Sequence, residues 1–162
     1  MTTPVTTDDI VQGAVKWLLS FDDVLAVLGT MADGVTPMLF QDTLWSRMES
    51  TQSTAAVISY AGGWAGPNQH NTLRFPRIGL DIWVDPQRDA TGQALNPAEA
   101  RRRADNAYQV IDSHLHRPQS GTEMWGAVRT VSCSRLVEPL LYPVPSGNGL
   151  LRSTTFYGVA QG

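Results

Sequence analysis

The fold is decided by residues 73–115, which read LRFPRIGLDIWVDPQRDATGQALNPAEARRRADNAYQVIDSHL. Its first part alternates in character, which is typical of a strand with one buried face. One face carries four aliphatic residues, Ile78, Leu80, Ile82 and Val84. The other face carries a mixture of charge and a large indole, in Arg77, Gly79, Asp81, Trp83 and Asp85. We therefore expect Trp83 to be covered, by a partner surface, by a second layer of the same domain or by a loop of the chain.

A long amphipathic helix follows this strand after the break at Asp85-Pro86. Asn96 is a favourable N-cap, and Pro97 suits the first helical position because its missing N–H would be unpaired there. The apolar stripe recurs at intervals of three and four, in Ala100, Ala104, Ala107, Tyr108, Ile111 and Leu115. Because small residues lead this stripe, we expect close approach to a sheet along the N-terminal half. Arg117-Pro118 ends the helix.

The remaining elements lie on both sides of this stretch. Two N-terminal helices are predicted, the first beginning at Thr7-Asp8-Asp9 and the second at Asp22 to Leu28. Strand-like segments are Ala55 to Tyr60, Trp125 to Arg135 and Leu150 to Val159, and Met38 to Phe40 is a short apolar run. This order favours an α+β fold, with a mostly antiparallel sheet, the long helix packed on one face, and N-terminal helices.

Two irregular segments interrupt this pattern. Ala61 to Asn71 reads AGGWAGPNQHN and is expected to be a long loop, a kind of segment that often carries function. It lacks the GxxxxGK[ST] pattern and the GxGxxG spacing, so a phosphate site is not predicted. Glu138 to Gly149 is expected to be an extended arm closed by a turn.

Composition sets wider limits. The 162 residues fit a single domain, residues 1–162, and a hydrophobic fraction of 42% with 17% charged residues is ordinary for a globular protein. A net charge of -3 is not that of a dedicated nucleic-acid binder. The sequence has no apolar run of about eighteen residues and no signal-like start, so neither a membrane span nor a secretory signal is predicted. Cys133 is the one cysteine, so an internal disulfide is excluded.

Catalytic and metal patterns are weak. Asp112, His114 and His116 could form a metal site, but on a helix residues two apart diverge. Arg101 to Arg103 could form a nucleic-acid patch, although pairing of Arg101 with Asp105 and the nearby Glu99 favour a solvated helix face. No GxSxG motif accompanies the Ser, His and Asp residues. The sequence therefore predicts no enzyme, no catalytic residue, no cofactor and no metal.

The overall residue pattern of the chain resembles that of one protein family. Residues 53–86, the helix NPAEARRRADNAYQVIDSHLHRP, MWGAVRT, RLVEPLLYPVP and GLLRSTTFYGV are similar to tail terminator proteins of long, non-contractile-tailed phages, in particular those of actinobacteria. The resemblance covers nearly the whole chain and rests on no catalytic motif. Neck and head-completion proteins share this size and layout, and a small enzyme or a nucleic-acid-binding module remains as a further alternative.

The resemblance implies a structural virion protein at the head-proximal end of the tail, assembled in the host cytoplasm. Such a protein forms a homo-oligomer, a hexameric ring, which caps the tail tube, stops its polymerisation and joins the tail to the head connector. Double-stranded DNA then passes through the lumen without specific binding, and no membrane is involved. Together with the residue patterns, it suggests ten subunit or tail-tube interface residues: Gly62, Gly63, Trp64, Asn68, His70, Arg77, Asp81, Trp83, Tyr142 and Asn148.

Overall fold

The structure is a computed structural model that describes residues 5–31, 33–42, 54–65, 73–84, 96–118, 123–143 and 150–161. The helices within these ranges are α1 (Thr7–Leu19), α2 (Asp22–Val27) and α3 (Pro97–Leu115). The strands are β1 (Leu39–Gln41), β2 (Thr54–Ala65), β3 (Leu73–Val84), β4 (Glu123–Trp125), β5 (Val128–Arg135), β6 (Leu140–Pro143) and β7 (Leu150–Gln161). They form one sheet in the order β1-β2-β3-β7-β5-β4, with β6 also paired to β7.

The sheet is mixed. β1 runs parallel to β2, whereas the other pairings between named strands are antiparallel. β5 and β6 lie one after the other along the same side of β7, because β5 pairs with the part of β7 after Thr155 and β6 with the part before Thr154. The chain is therefore a mixed α/β fold, and the β1–β2 pair is the parallel one in a sheet expected to be mostly antiparallel.

The long helix begins where its capping signals place it. The side chain of Asn96 accepts a hydrogen bond of 2.8 Å from the backbone N–H of Glu99, and Pro97 occupies the first turn. The leading alanines of the stripe, Ala100, Ala104 and Ala107, are fully buried. Because alanine adds little volume, this half of α3 can lie close to β3 and β7.

Helix α1 is fixed at both of its ends. Thr6 and Asp9 form a capping box, in which each side chain bonds the other's backbone N–H. Further along, a Cβ on Gly13 would lie 2.4 Å from the carbonyl oxygen of Trp125, so only glycine permits this approach to β4. The indole of Trp17 donates a 3.0 Å hydrogen bond to the carbonyl of His114 at the end of α3.

The main core lies between the three helices and one face of the sheet, here called the inner face. The largest fully buried side chains of this core include Phe156, Leu18, Ile58, Leu80, Ile82, Ile111 and Leu115. Full burial of one such side chain contributes about 1.5–3 kcal/mol to the free energy of unfolding. The aliphatic half of the β3 alternation therefore faces the helices, as its period predicts.

Two predicted segments differ from the structure. The strand expected to end at Tyr60 continues as β2 to Ala65, because Gly62 and Gly63 adopt φ of 98° and 155° and allow a β-bulge that keeps the pairing with β3. The strand expected over Trp125 to Arg135 is a hairpin of β4 and β5, whose turn uses Gly126 at φ 62°.

Candidate assembly surface

The second face of the sheet points away from the helices and is here called the outer face. It carries Arg77, Gly79, Asp81 and Trp83 of β3, and the pairing register adds Ser153, Thr155 and Tyr157 of β7. No residue of α1, α2 or α3 belongs to the small apolar cluster on this side. The outer face is therefore the part of the sheet on which the predicted interface residues can be judged.

Trp83 is not exposed on this face. Its side chain is 7% exposed and packs in a cluster with Met38, Phe40, Ala55 and Val57. The prediction of Trp83 as an interface residue is corrected accordingly, because the indole is buried beside apolar side chains of β1, β2 and the residue before β1. The described neighbours of Trp83 thus lie on strands of the same sheet and in the segment before β1, and not in a second layer.

Arg77 and Asp81 remain accessible in part. Arg77 is exposed and lies opposite Tyr157, which is 36% exposed. Asp81 is half-buried and accepts a 2.5 Å hydrogen bond from the Ser153 hydroxyl. The two charged side chains are four residues apart on one strand, so they are about 13 Å apart along the outer face.

The predicted loop residues divide between two situations. Gly62 and Gly63 lie in β2 at the bulge, and the backbone of Trp64 pairs with Phe75 of β3. Asn68 and His70 lie outside the described residues. The structure thus brings Gly62, Gly63 and Trp64 to the end of the β2–β3 hairpin.

The arm is partly strand. The backbone of Tyr142 belongs to β6 and pairs with Leu151, while Asn148 lies outside the described residues. Within the described chain, β6 is paired on one side only, to β7, so it is an edge strand. Edge strands present unpaired backbone groups that another chain can meet.

Sequence reasoning missed an apolar strip at this edge. Leu136, Val137 and Leu140 are 47%, 55% and 69% exposed. The strip is held in place because the Leu136 N–H donates to the Thr155 carbonyl at 2.8 Å and the Thr154 hydroxyl to the Val137 carbonyl at 2.7 Å. The signal in the sequence was three apolar residues within five, LVEPL, at positions 136–140. The prediction of an extended arm gave no indication that this stretch is attached to β7.

The arginine cluster of α3 is largely neutralised. Arg102 and Arg103 pair with Glu99 at 2.7 and 3.2 Å. The predicted pair of Arg101 with Asp105 is wrong, since Asp105 instead pairs with Arg152 of β7. The guanidinium of Arg152 also lies 4.9 Å from the ring centre of Tyr108, which ties this face of α3 to the sheet.

Each of the three possible metal ligands is bound by another residue of the chain. Asp112 pairs with Arg135 at 3.1 Å, His114 lies 2.9 Å from the carboxylate of Asp23, and His116 accepts from the Arg135 backbone N–H at 3.0 Å. Among the described residues, no three His, Cys, Asp or Glu side chains form a group that could hold a metal ion. The hydrogen bond from His114 holds the pKa of Asp23 below its usual value.

Cys133 is an inert thiol in this environment. Burial raises its pKa to about 12, so the thiolate is scarce at neutral pH. It lines a small apolar cavity together with Ile10, Ile78 and Trp125. None of the described residues that line this cavity is a general base, so the arrangement offers packing rather than nucleophilic chemistry.

Comparisons with known proteins give a fold and no family. No family model matches the chain, and no curated protein matches it. A chain of a solved structure described as "Virion of native gene transfer agent (GTA) particle" matches with a TM-score of 0.59 and 12% sequence identity. The match covers 94% of this chain and 95% of that one. No helix of the described residues is long and apolar enough to cross a membrane. The chain thus shares its fold, nearly end to end, with a chain of that particle.

Proposed function

We propose that this chain is a structural protein of a phage-like virion. The observation that carries the proposal is the fold match to a chain of a gene transfer agent virion, which extends over 94% of this chain. A match of such extent leaves little of the chain for a separate catalytic domain. The pairing of Asp112 and His116 with Arg135, that of His114 with Asp23, and the inert Cys133 agree with a role in assembly rather than in catalysis.

Within the virion, the role proposed is that of a tail terminator. Copies of the chain form a hexameric ring that caps the tail tube, stops its polymerisation and joins the tail to the head connector. This role comes from the resemblance of the segments around β2, β3, α3 and β7 to siphophage tail terminators. The exposed apolar strip and the open edge of β6 support it, because exposed apolar side chains at a sheet edge mark contact surfaces.

Two surfaces have assigned roles in this proposal. The hairpin end at Gly62, Gly63 and Trp64, with Asn68 and His70 beyond it, contacts the tail tube or a neighbouring subunit. The outer face at Arg77 and Asp81, with the arm at Tyr142 and Asn148, contributes to the subunit interface. Trp83 supports that face from within the chain instead of touching the partner.

The lumen is proposed to let double-stranded DNA pass without capture. Tight binding of a duplex requires several cationic side chains facing the phosphates. Arg102 and Arg103 are instead paired with Glu99, and the net charge of the chain is -3. The isolated protein should therefore bind duplex DNA weakly, and strongly salt-dependent binding would contradict this part of the proposal.

A tube-capping assay tests the terminator role. Tail-tube protein is polymerised with and without this chain, and tube lengths are measured by negative-stain electron microscopy. We expect elongation to stop and density to appear at one end of each tube. Continued elongation, with binding to head connectors instead, would make the chain a neck or head-completion protein.

A deletion sharpens the same assay. Removing residues 66–71 should abolish capping, because this segment joins the two strands whose ends face the tube in the proposal. The exposed substitution Gln109→Ala on α3 is the control and should leave capping intact. Normal capping by the deletion variant would remove the hairpin end from the tube contact.

A further inference from the structure

The charge of the molecule is divided unevenly along the described chain. Residues 5–42 contain six aspartates, Asp8, Asp9, Asp22, Asp23, Asp33 and Asp42, with Lys16 as their one Lys or Arg. The described residues from 54 onward contain nine arginines against six acidic residues. The N-terminal part is therefore strongly acidic, while the rest of the described chain is net basic.

Three of these aspartates flank the edge strand β1, with Asp8 and Asp42 at its C-terminal end and Asp33 in the turn before it. The Gln41 amide donates a 2.5 Å hydrogen bond to Asp8, which brings the start of α1 against β1. Asp42 follows β1 directly, and Asp33 lies in the turn before it, beside Val35, which is 79% exposed. We call Asp8, Asp33, Val35 and Asp42 the acidic flank. Within the described residues, none of its aspartates forms an ion pair with Lys or Arg.

The outer face offers the opposite charge. Arg77 and Arg129 are both exposed, and neither forms an ion pair within the described part of the chain. The register places Arg77 opposite Tyr157 and Arg129 opposite Gln161. The apolar strip borders the same face, because Leu140 pairs with Ser153. From Ser153 to Gln161 the face spans about 27 Å, the width of a standard interface of about 800 Å² per partner.

The two surfaces lie toward different ends of the sheet. β1 is one end of the strand order, and β5, β6 and β4 form the other. Contacts between two unlike surfaces of the same chain are heterologous, and they generate a closed ring when the rotation between copies closes. Both surfaces include exposed apolar side chains, and the charge of one surface is opposite in sign to the charge of the other. This complementarity favours association in one orientation.

We propose that the outer face, through Arg77, Arg129, Tyr157 and the apolar strip, binds the acidic flank of a second copy of this chain. The proposal rests on the proposed function in one respect, that copies associate in a ring. The occupant is a second copy because the chain itself carries the complementary charge at the opposite end of its sheet. Attraction between the two surfaces weakens as ionic strength rises.

Charge reversal on each surface tests the contact. Variant A carries Arg77→Glu and Arg129→Glu, and variant B carries Asp8→Lys and Val35→Lys. Each variant alone juxtaposes like charges and should weaken self-association by roughly tenfold or more. In an equimolar mixture every contact joins opposite charges again, so association should return, as measured by light scattering coupled to size-exclusion chromatography.

A double variant with substitutions on α3 serves as the control. Arg101→Glu with Gln109→Glu changes charge on the exposed side of α3, outside both surfaces, and should leave association unchanged. Circular dichroism verifies that each variant is folded. Association of variants A and B at wild-type strength, failure of their mixture, or a wild-type chain that stays monomeric at millimolar concentration and low salt would overturn the contact.

The contact and the terminator role can fail separately. A wild-type chain that associates with the predicted charge dependence but never stops tube growth leaves the contact standing and removes the terminator role. If wild type caps tubes and variants A and B form rings as stable as those of wild type, the proposed contact is wrong and the terminator role stands.

Discussion

Phe156 and Tyr157 are neighbours in sequence and lie on opposite faces of the same strand. Phe156 is fully buried under the helices, whereas Tyr157 is 36% exposed on the outer face. The inner face is covered by α3 together with α1 and α2. On the outer face, Met38 and Phe40 bury only the part that holds Trp83. One face of the sheet therefore stabilises the fold, and the other is available for contact between molecules.

The largest expected effect separates these two faces directly. Phe156→Ala should lower the free energy of unfolding by about 3–5 kcal/mol, because it leaves a cavity in the main core. Tyr157→Ala should lower it by about 1 kcal/mol or less while weakening self-association. Urea denaturation measures the first quantity and light scattering the second. Equal losses of stability in the two variants would contradict the division of roles between the faces.

Trp83 is the exception on the outer face and gives the next largest effect. Trp83→Ala should destabilise the fold by about 3 kcal/mol, near the lower end for a buried aromatic residue because its cluster is small. The measurement is again urea denaturation, with Arg77→Ala on the same strand as the matched control. A Trp83→Ala chain that is as stable as wild type but fails to associate would return Trp83 to the partner interface.

Close packing on the inner face predicts a third effect. Gly13→Ala places a methyl group against the backbone of Trp125 and should cost about 1–3 kcal/mol as α1 is displaced. Gly34→Ala has open space around it but adopts φ of 69°, so about 1 kcal/mol is expected there. Thermal unfolding compares the two. A smaller cost at Gly13 than at Gly34 would show that α1 tolerates movement away from β4.

The smallest effect concerns the contact between α2 and the end of α3. Asp23 has a pKa lowered chiefly by its hydrogen bond with His114, so the ionised carboxylate stabilises the fold above its unfolded pKa. This contribution is lost as the pH falls below 3.8 and through the folded-state pKa. Asp23→Asn should therefore melt slightly below wild type at neutral pH, and the difference should vanish in acid. Asp22→Asn, its exposed neighbour, is the control.

The sequence predicted the inner face better than the outer one, for a physical reason. The stripe from Ala100 to Leu115 and the alternation in β3 are local periodic patterns, and each pattern indicates which side of its element is buried. The cover over Trp83 comes from Met38 and Phe40, which are more than forty residues away in the chain. Local periodicity gives no information about a contact between residues so far apart in the chain. The sequence therefore left several possible covers for Trp83, and the pairing of β1 with β2 identifies its neighbours.

A β-bulge and an ion pair with the sheet account for two other differences between the sequence predictions and the structure. Two adjacent glycines suggested a loop at residues 62 and 63, but a β-bulge uses their positive φ to prolong β2. The pair of Arg101 with Asp105 follows from helical spacing alone, yet Arg152 approaches from β7 and takes the carboxylate. Helical spacing therefore identified Asp105 as a carboxylate that an arginine could pair with, and the position of β7 determined that this arginine is Arg152.

The position of β7 has a consequence for how the protein is made. Among the described strands, β7 comes last in the chain, and it alone links β3 to β5 and β6 by hydrogen bonds. A nascent chain on the ribosome therefore holds two unconnected fragments of sheet until residues 150–161 emerge. The outer face is spread over both fragments and β7, so a polypeptide truncated before this strand would carry the acidic flank without a complete outer face and could not continue a ring of contacts.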